Sequence, residues 1–573
     1  MVGPHADLAP RVTRPTSGAV PLDHGVVSVD HGVVSVNHGI TTAGTDKTPA
    51  TPRDRGARGA DGARVVRGGG ARGAARGGLA NMAGSALAGG TGVAVTWIVA
   101  RTLGPAQAGA FFAATAAFVL AGGVGKLGTQ TGLVYWPARL RATGRDHLLG
   151  ACLRTGLLPV TAVAVTMAAG MWFGAPEIAR LTASGTPHVV AEHTAGLRVL
   201  AVFLPLQALT DALLTATRGY RAMLPTVLLD RLLRSTLQLL LVGAVGVTAL
   251  WMAASLPAFA LAWAAPYLPV AVLAGFALRR LYRHGRPPSA HSRRVERHRL
   301  RRDFWRFTAP RALASVAQLA LQRVDVLLLA ALGGLAAAAV YAVAGRFVVL
   351  IQLANQGISQ SIQPRLAEAL AIGDRATANQ LYRVATGWLV LVTWPINLLV
   401  MLCAPVYLGA FGPGYRAGAD VVIVLAAAML VATGCGMVDM VLAMAGRTSW
   451  NLGNVLVALA VTIGLDVVLI PRHGALGAAI GLACAVVANN LLPLIQVGGF
   501  AGLHPFGAGT VAAAFLSLGC FGVLPWVVTT ATGHEPASLP VALGLAVPAY
   551  CAGAWLLRGR LALGAFMPRK RST

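Results

Sequence analysis

Acidic side chains are scarce in this chain. Only 20 Asp+Glu stand against 47 Lys+Arg in 573 residues, a formal net charge of +27. Charged residues of both signs reach only 12%. Soluble domains devote about a quarter of their length to charge, so a single soluble globular domain is excluded. The cysteines are six: Cys152, Cys403, Cys435, Cys484, Cys520 and Cys551. None forms a CxxC pair, which leaves no spacing for a disulfide framework or a metal site. Each lies within or beside an apolar run, where free cysteine packs as a small hydrophobe. Enzyme signatures are missing too. There is no G-x-S-x-G elbow, no H-E-x-x-H and no GxxxxGK[ST] loop. No catalytic residue, metal or cofactor is therefore expected, and uphill transport would draw on an ion gradient or on consumption of the product.

Apolar sequence, by contrast, is abundant. Hydrophobic residues make up 56% and the mean hydropathy is +0.66, which excludes a disordered chain and predicts an all-α polytopic membrane protein. The excess of Lys and Arg then reads as an orientation signal rather than as a nucleic-acid footprint. Segments of spanning length, about 20 residues each, fall at 79–100, 108–134, 148–173, 197–217, 225–250, 255–278, 309–332, 335–360, 384–405, 419–444, 451–470, 475–498, 508–530 and 539–557. The spacing thus predicts fourteen helices. Lys126 in the second and Asp230, Arg231 and Arg234 in the fifth make those two spans the least clean.

Residues 1–77 are expected to form a disordered basic tail. They carry a duplicated heptad, DHGVVSV at 23–29 and 30–36, whose His24, His31 and His38 read as low-complexity duplication rather than metal ligands. No apolar core of a secretory signal occurs in this segment, so it is expected to stay on the side where it was made. Placing it in the cytoplasm also puts Arg139, Arg141, Arg145, Arg218, Arg221, the twelve arginines of 279–311 and the tail Arg569, Lys570 and Arg571 inside. The outer loops keep only Arg101, Arg180, Arg198, Arg416 and Arg472. Both termini are therefore predicted to be cytoplasmic in a multi-pass plasma-membrane protein.

The chain also repeats itself. LGPAQAGAFFAATAAFVL at 103–120 aligns with LGGLAAAAVYAVAGRFVVL at 332–350, at an offset of 229 residues. The match implies two parallel-repeat lobes of six helices each. They are an N-lobe at 78–280 and a C-lobe at 309–500, joined by an arginine-rich linker at 281–308. Helices thirteen and fourteen at 501–558 and a basic tail at 559–573 complete the division.

Polar faces on apolar helices point into protein or water. The seventh span shows Arg311, Ser315, Gln318, Gln322 and Asp325 at helical spacing. The second shows Thr115, Gly122, Lys126, Thr129 and Gln130, and the first Asn81, Ser85, Gly92 and Thr96. A polar cavity between the lobes is expected, with Lys126, Gln318, Gln322, Arg323, Asp325, Arg346 and Gln352 as its candidate lining. For several of these a plainer reading stands alongside. Asp325 and Arg346 lie at similar depth and could form a fixed pair locking the hairpin of spans 7 and 8. Lys126 could snorkel to the interface. Asp211, Asp439 and Asp466, near Arg218, Arg447 and Arg472, are expected to be interface anchors.

Several motifs together carry a family likeness. VARTLGPAQAGAFF at 99–112, RVDVLLLAALG at 323–333, SIQPRLAEALAIGDRATANQLYR at 361–383 and LDVVLIPRHGALGAAIG at 465–481 resemble the Wzx-type polysaccharide flippases of the multidrug/oligosaccharidyl-lipid/polysaccharide exporter superfamily. The resemblance spans about 78–500. It implies a substrate of undecaprenyl-diphosphate-linked oligosaccharide, moved from inner to outer leaflet by alternating access for surface-polysaccharide synthesis. Glycosyltransferases and a polysaccharide polymerase would be partners. A diphosphate needs cations, here Lys126 and Arg346 with Arg323 beside them, and Asp325 is the expected proton-coupling residue. A cation-coupled drug antiporter or a lipid II flippase of the same fold remains open. A membrane glycosyltransferase would need a large catalytic outer loop, which this chain lacks.

Overall fold

The computed structural model describes the backbone over residues 59–182, 187–253, 255–284, 294–531 and 538–561. All regular structure among these residues is helical. In chain order the helices are α1 Gly59–Gly125, α2 Thr129–Ala142, α3 Leu149–Thr182, α4 Pro187–Gly219, α5 Ser235–Thr248, α6 Leu256–Ala264, α7 Tyr267–His284, α8 Arg294–Leu321, α9 Val324–Leu332 and α10 Leu335–Ala344. They continue as α11 Val348–Ala371, α12 Arg375–Leu402, α13 Ala404–Gly409, α14 Ala419–Gly434, α15 Val438–Met444, α16 Thr448–His473, α17 Ala475–Ala501, α18 Ala508–Leu518, α19 Leu524–Ala531 and α20 Ser538–Leu556.

Ten of the described helical stretches are long and apolar enough to cross a membrane, or eleven when the bent pair α8–α9 is taken as one span. The difference from fourteen has identifiable causes. One stretch of 61 residues, Met82–Ala142, takes in both the first and second expected spans. The fifth is split between a π-helical segment, Thr226–Arg234, and the 14-residue α5. The last is a shorter apolar helix, Pro540–Leu556. Two boundaries also move. Helix α1 begins at Gly59, inside the stretch expected to be tail. Helix α8 runs unbroken from Arg294 to Leu321, so the linker expected to end at 308 continues into the seventh span as one helix. The histidine heptads lie outside the described residues.

Repetition is visible in the backbone. In α1 the helix is interrupted at Gly104 (φ 72, ψ 173) before Pro105, and α10 starts after Gly334 (φ 88, ψ 163). Both conformations suit only a residue without a Cβ. The sequence alignment had matched Gly104 to Gly333. The left-handed residue falls one position later, so the hairpin turn shifts the repeat by one. The opposite ends keep the offset of 229: Gly144 (φ 68) precedes Arg145, and Gly373 (φ 76) precedes Asp374. There Asp374 accepts the Thr377 backbone N–H at 3.0 Å as an N-cap, a hydrogen bond that holds its carboxyl below the ordinary value. The Gly-Asp pair of the 361–383 motif is thus a helix stop followed by a helix start.

At the Gly104/Gly334 end the two halves of the chain meet closely. A Cβ on Gly109 would run into the Leu335 carbonyl. Trp97 Nε1 donates to the Ala410 carbonyl at 2.9 Å and Tyr415 Oη to that of Ala100 at 3.3 Å. Residues Ala404–Gly418 thus cap this end from the far half. Phe111, Phe112, Phe118, Leu335, Tyr341 and Phe347 lie in one apolar core that runs through both halves. Along the other seam α1 and α2 pack on α8, where Gly123 abuts Leu319 and Gly132 faces Thr308 and Phe304.

Candidate functional site

The expected cations sit where helices break. After Gly125 the chain leaves the helix at Lys126 and Leu127 and resumes at Thr129, with Leu127 at φ 49 and Gly128 at φ 65. Between α8 and α9 the axis bends by 48° at Gln322 and Arg323. A 3₁₀ turn, Gly345–Phe347, interrupts the run from α10 to α11 at Arg346. Broken spans leave backbone groups free and are tolerated in lipid only where protein or water satisfies them, and transporter sites are commonly built at such breaks. Hydropathy along the sequence is blind to these interruptions.

The three cations do not share one site. Lys126 forms an ion pair with Asp211 of α4, with 19% and 26% of their side chains exposed. Asp211 is thus not an interface anchor for Arg218, whose guanidinium donates to Thr215 Oγ1 at 2.8 Å. Nearby in the same half, Arg234 bonds Asp230 at 2.7 Å and Gln238 Oε1 at 3.0 Å, and Gln238 reaches the Trp263 carbonyl at 2.9 Å. The Arg234 guanidinium also lies 5.3 Å from the Tyr267 ring centroid. Asp230 thus neutralises Arg234 across a π-helical turn, while Arg231 of the same turn keeps a buried Nε without a hydrogen-bond partner.

In the C-terminal half, Arg323, Asp325 and Arg346 come together. Arg323 and Arg346 are close enough to repel each other, and Arg323 to attract Asp325. The expected Asp325–Arg346 lock is not made. The buried Asp325 carboxylate instead accepts from the Tyr341 hydroxyl and from the Val326 backbone N–H, the latter at 2.8 Å. Arg346 Nε turns to the Ala342 carbonyl at 2.9 Å, and Arg323 Nε is buried without a partner. Neither arginine is in an ion pair among the described residues. Tyrosine supplies what the arginine was expected to: a donor to the carboxylate, from α10 and five residues before Arg346. Gln318, Gln322 and Gln352 are exposed and make no side-chain hydrogen bond among the described residues.

A second carboxylate belongs to this cluster. Asp466 of α16 is fully buried, and both its oxygens lack a hydrogen-bond partner. It is near enough to Asp325 and Tyr341 to act on both electrostatically, and its Oδ1 sits against Gly481 of α17. One turn earlier Thr462 Oγ1 is also buried and unpartnered. The expectation of an interface anchor with Arg472 is overturned, since Arg472 is exposed and pairs with nothing carboxylic among the described residues. Helix α16 continues through Pro471 to His473, three residues past the expected span end at 470. Asp439 likewise does not pair with Arg447, whose guanidinium stacks 4.3 Å from Trp450 and 4.7 Å from Phe500.

Comparison with known proteins agrees with this architecture. The MatE family model matches residues 310–471. No curated relative matches the chain. Among solved structures, the lipid II flippase MurJ in an inward closed conformation superposes with a TM-score of 0.65 at 12% identity, covering 84% of this chain and 99% of that one. A multidrug resistance MATE family transporter of the MOP superfamily, inward-facing, gives 0.60 at 16% identity over 72% and 94%. A MOP superfamily transporter from Pyrococcus furiosus, described as having a binding pocket of reversed polarity, gives 0.50 at 16% over 75% and 95%. The chain thus has the fold of MOP superfamily transporters and flippases and carries a MatE-type sequence at 310–471.

Proposed function

We propose that the protein flips a polyprenyl-diphosphate-linked oligosaccharide from the inner to the outer leaflet by alternating access, serving cell-surface polysaccharide synthesis. The observation that carries this reading is the pair Arg323 and Arg346. Two guanidiniums that repel each other at helix breaks inside the spanning region, neither with a carboxylate, are costly to hold. A diphosphate would relieve both at once through charge-assisted hydrogen bonds. Lys126, already neutralised by Asp211, has a structural role. Gln318, Gln322 and Gln352 would serve the sugars, while the prenyl chain stays in lipid. The fold similarity to a lipid II flippase supports lipid-linked cargo, and lipid II itself is the nearest alternative substrate.

Asp325 and Asp466 would couple the cycle to protons. The two are buried near one another beside Tyr341, and a rearrangement between states would load and release the proton. This feature also favours a second reading, a cation-coupled drug antiporter of the same fold. Deletion of the gene separates them. Flipping predicts lipid-linked oligosaccharide accumulating on the inner leaflet while its synthesis continues. Unchanged lipid-linked pools with increased sensitivity to cationic drugs would favour the antiporter. Loss of synthesis itself would refute both.

A further inference from the structure

A cavity of about 480 Å³ opens at the arginine-rich end, and none of its lining residues belongs to the Arg323/Arg346 cluster. It is lined by Trp136, Arg139, Leu140, Thr143 and Arg145 from α2 and the turn after it, and by Asp303, Arg306 and Phe307 from α8. The size suits a small ligand. Its walls come from both halves of the chain, and they carry three arginines against one aspartate.

None of the three guanidiniums is in an ion pair, although Asp303 is within the same wall. Among the described residues Arg139 bonds only the Tyr135 hydroxyl, at 2.8 Å, and Arg145 and Arg306 make no side-chain hydrogen bond. Trp136 Nε1 is buried and unpartnered. Guanidiniums without an ion pair in a cavity wall are complementary to phosphate oxygens. Beside the cavity Tyr135 stacks on Phe307 with ring centroids 4.5 Å apart, and Arg139 lies 5.5 Å from the Trp136 ring. Aromatic rings with arginines at the end of a spanning bundle mark the headgroup level of a bilayer. The same end bears the exposed strap of α8, with Arg294, Arg297, Arg299, Arg301 and Arg302. By the distribution of positive charge this is the cytoplasmic face, whose leaflet is anionic.

We propose that this cavity holds the phosphate headgroup of an anionic phospholipid from that leaflet, clamped between α2 and α8. A lipid there touches both halves simultaneously, so it stabilises the arrangement in which α2 packs on α8. The proposal is independent of the transported substrate.

Native mass spectrometry of the full-length protein with phosphatidylglycerol and phosphatidylcholine tests it. The protein is expected to retain one phosphatidylglycerol that the double variant Arg139→Gln/Arg306→Gln binds about tenfold more weakly. The variant Arg139→Lys/Arg306→Lys should keep most of the affinity, which guards against misfolding as the cause. Phosphatidylglycerol should raise the melting temperature of the unaltered protein and not of the double Gln variant. A control, Arg297→Gln/Arg301→Gln, removes two strap charges outside the cavity and should bind normally. Equal loss in the control would mean diffuse surface attraction and overturn the site. Unchanged binding in the Arg139/Arg306 variant would overturn it too. Displacement by inorganic pyrophosphate at the same concentration as by lipid would assign the cavity to a soluble anion instead.

Discussion

In the N-terminal half Lys126 stands on Asp211 and Arg234 on Asp230, whereas in the C-terminal half Arg323 and Arg346 lie near enough to repel each other, Asp325 accepts from the Tyr341 hydroxyl and Asp466 has no hydrogen-bond partner. Glycine turns recur at matching places in the two halves, yet Lys126 and Arg234 each stand in an ion pair while neither Arg323 nor Arg346 does among the described residues. Pairing makes a rigid unit. Arginines without an ion pair are left short of a partner that an anionic ligand can supply. The MatE match at 310–471 falls on the half with these arginines.

Removing these arginines should have the largest effect. Arg346→Ala, or Arg323→Ala, is expected to reduce export by about a hundredfold while leaving protein in the membrane at normal level. Arg346→Lys should retain part of the activity if a point charge suffices and little if a bidentate fork is needed. Export assays with quantified membrane protein check both.

Next come the acids. Asp466→Asn and Asp325→Asn should each abolish uphill transport at near-normal protein level, read as loss of proton-driven accumulation in vesicles. The exchange Asp325→Arg with Arg346→Asp should give no rescue, because those side chains are not paired. Recovery by the exchange would restore the lock and erase the contrast between the halves.

Lys126 should behave in the opposite way. Lys126→Ala leaves Asp211 without its partner and is expected to cost about 2 kcal/mol of stability, seen as a lower melting temperature and protein level. The double change Lys126→Ala/Asp211→Ala should recover most of it. A smaller effect is expected at the closed end, where the Cβ of Gly109→Ala would press on the Leu335 carbonyl. That variant should loosen the contact between halves, detected as slower cross-linking between cysteines placed near Trp97 and Ala410 and faster labelling of each.

Much of the architecture is legible in the sequence, because apolar runs and glycine turns are local signals. The hairpin turn at Leu103-Gly104 and its counterpart near 333 could be read directly, whereas the Gly-Asp pair at 373–374 was legible only as part of a family motif. The helix breaks could not. Residues 126–128, 322–323 and 345–347 sit in stretches whose hydropathy is continuous, and the close approach of Gly128 to Ala312 of α8 is a tertiary contact. Asp466 was misplaced for a related reason: its proximity to Arg472 in sequence suggested a pair, whereas its burial is set by packing against Gly481 of α17. Tyr341 was matched to Phe112 as a repeat position. Its hydroxyl is the one atom that distinguishes it, and only tertiary structure shows that atom reaching Asp325.

Binding of the lipid-linked diphosphate tests the contrast most directly. Purified protein should be titrated with undecaprenyl-diphosphate-linked oligosaccharide by native mass spectrometry in three forms: unaltered, Arg323→Ala/Arg346→Ala, and Lys126→Ala/Asp211→Ala. The account predicts equal affinity for the first and third and a loss of at least about tenfold for the second. Normal binding by the Arg323/Arg346 variant, or equal loss in the Lys126/Asp211 variant, would contradict it.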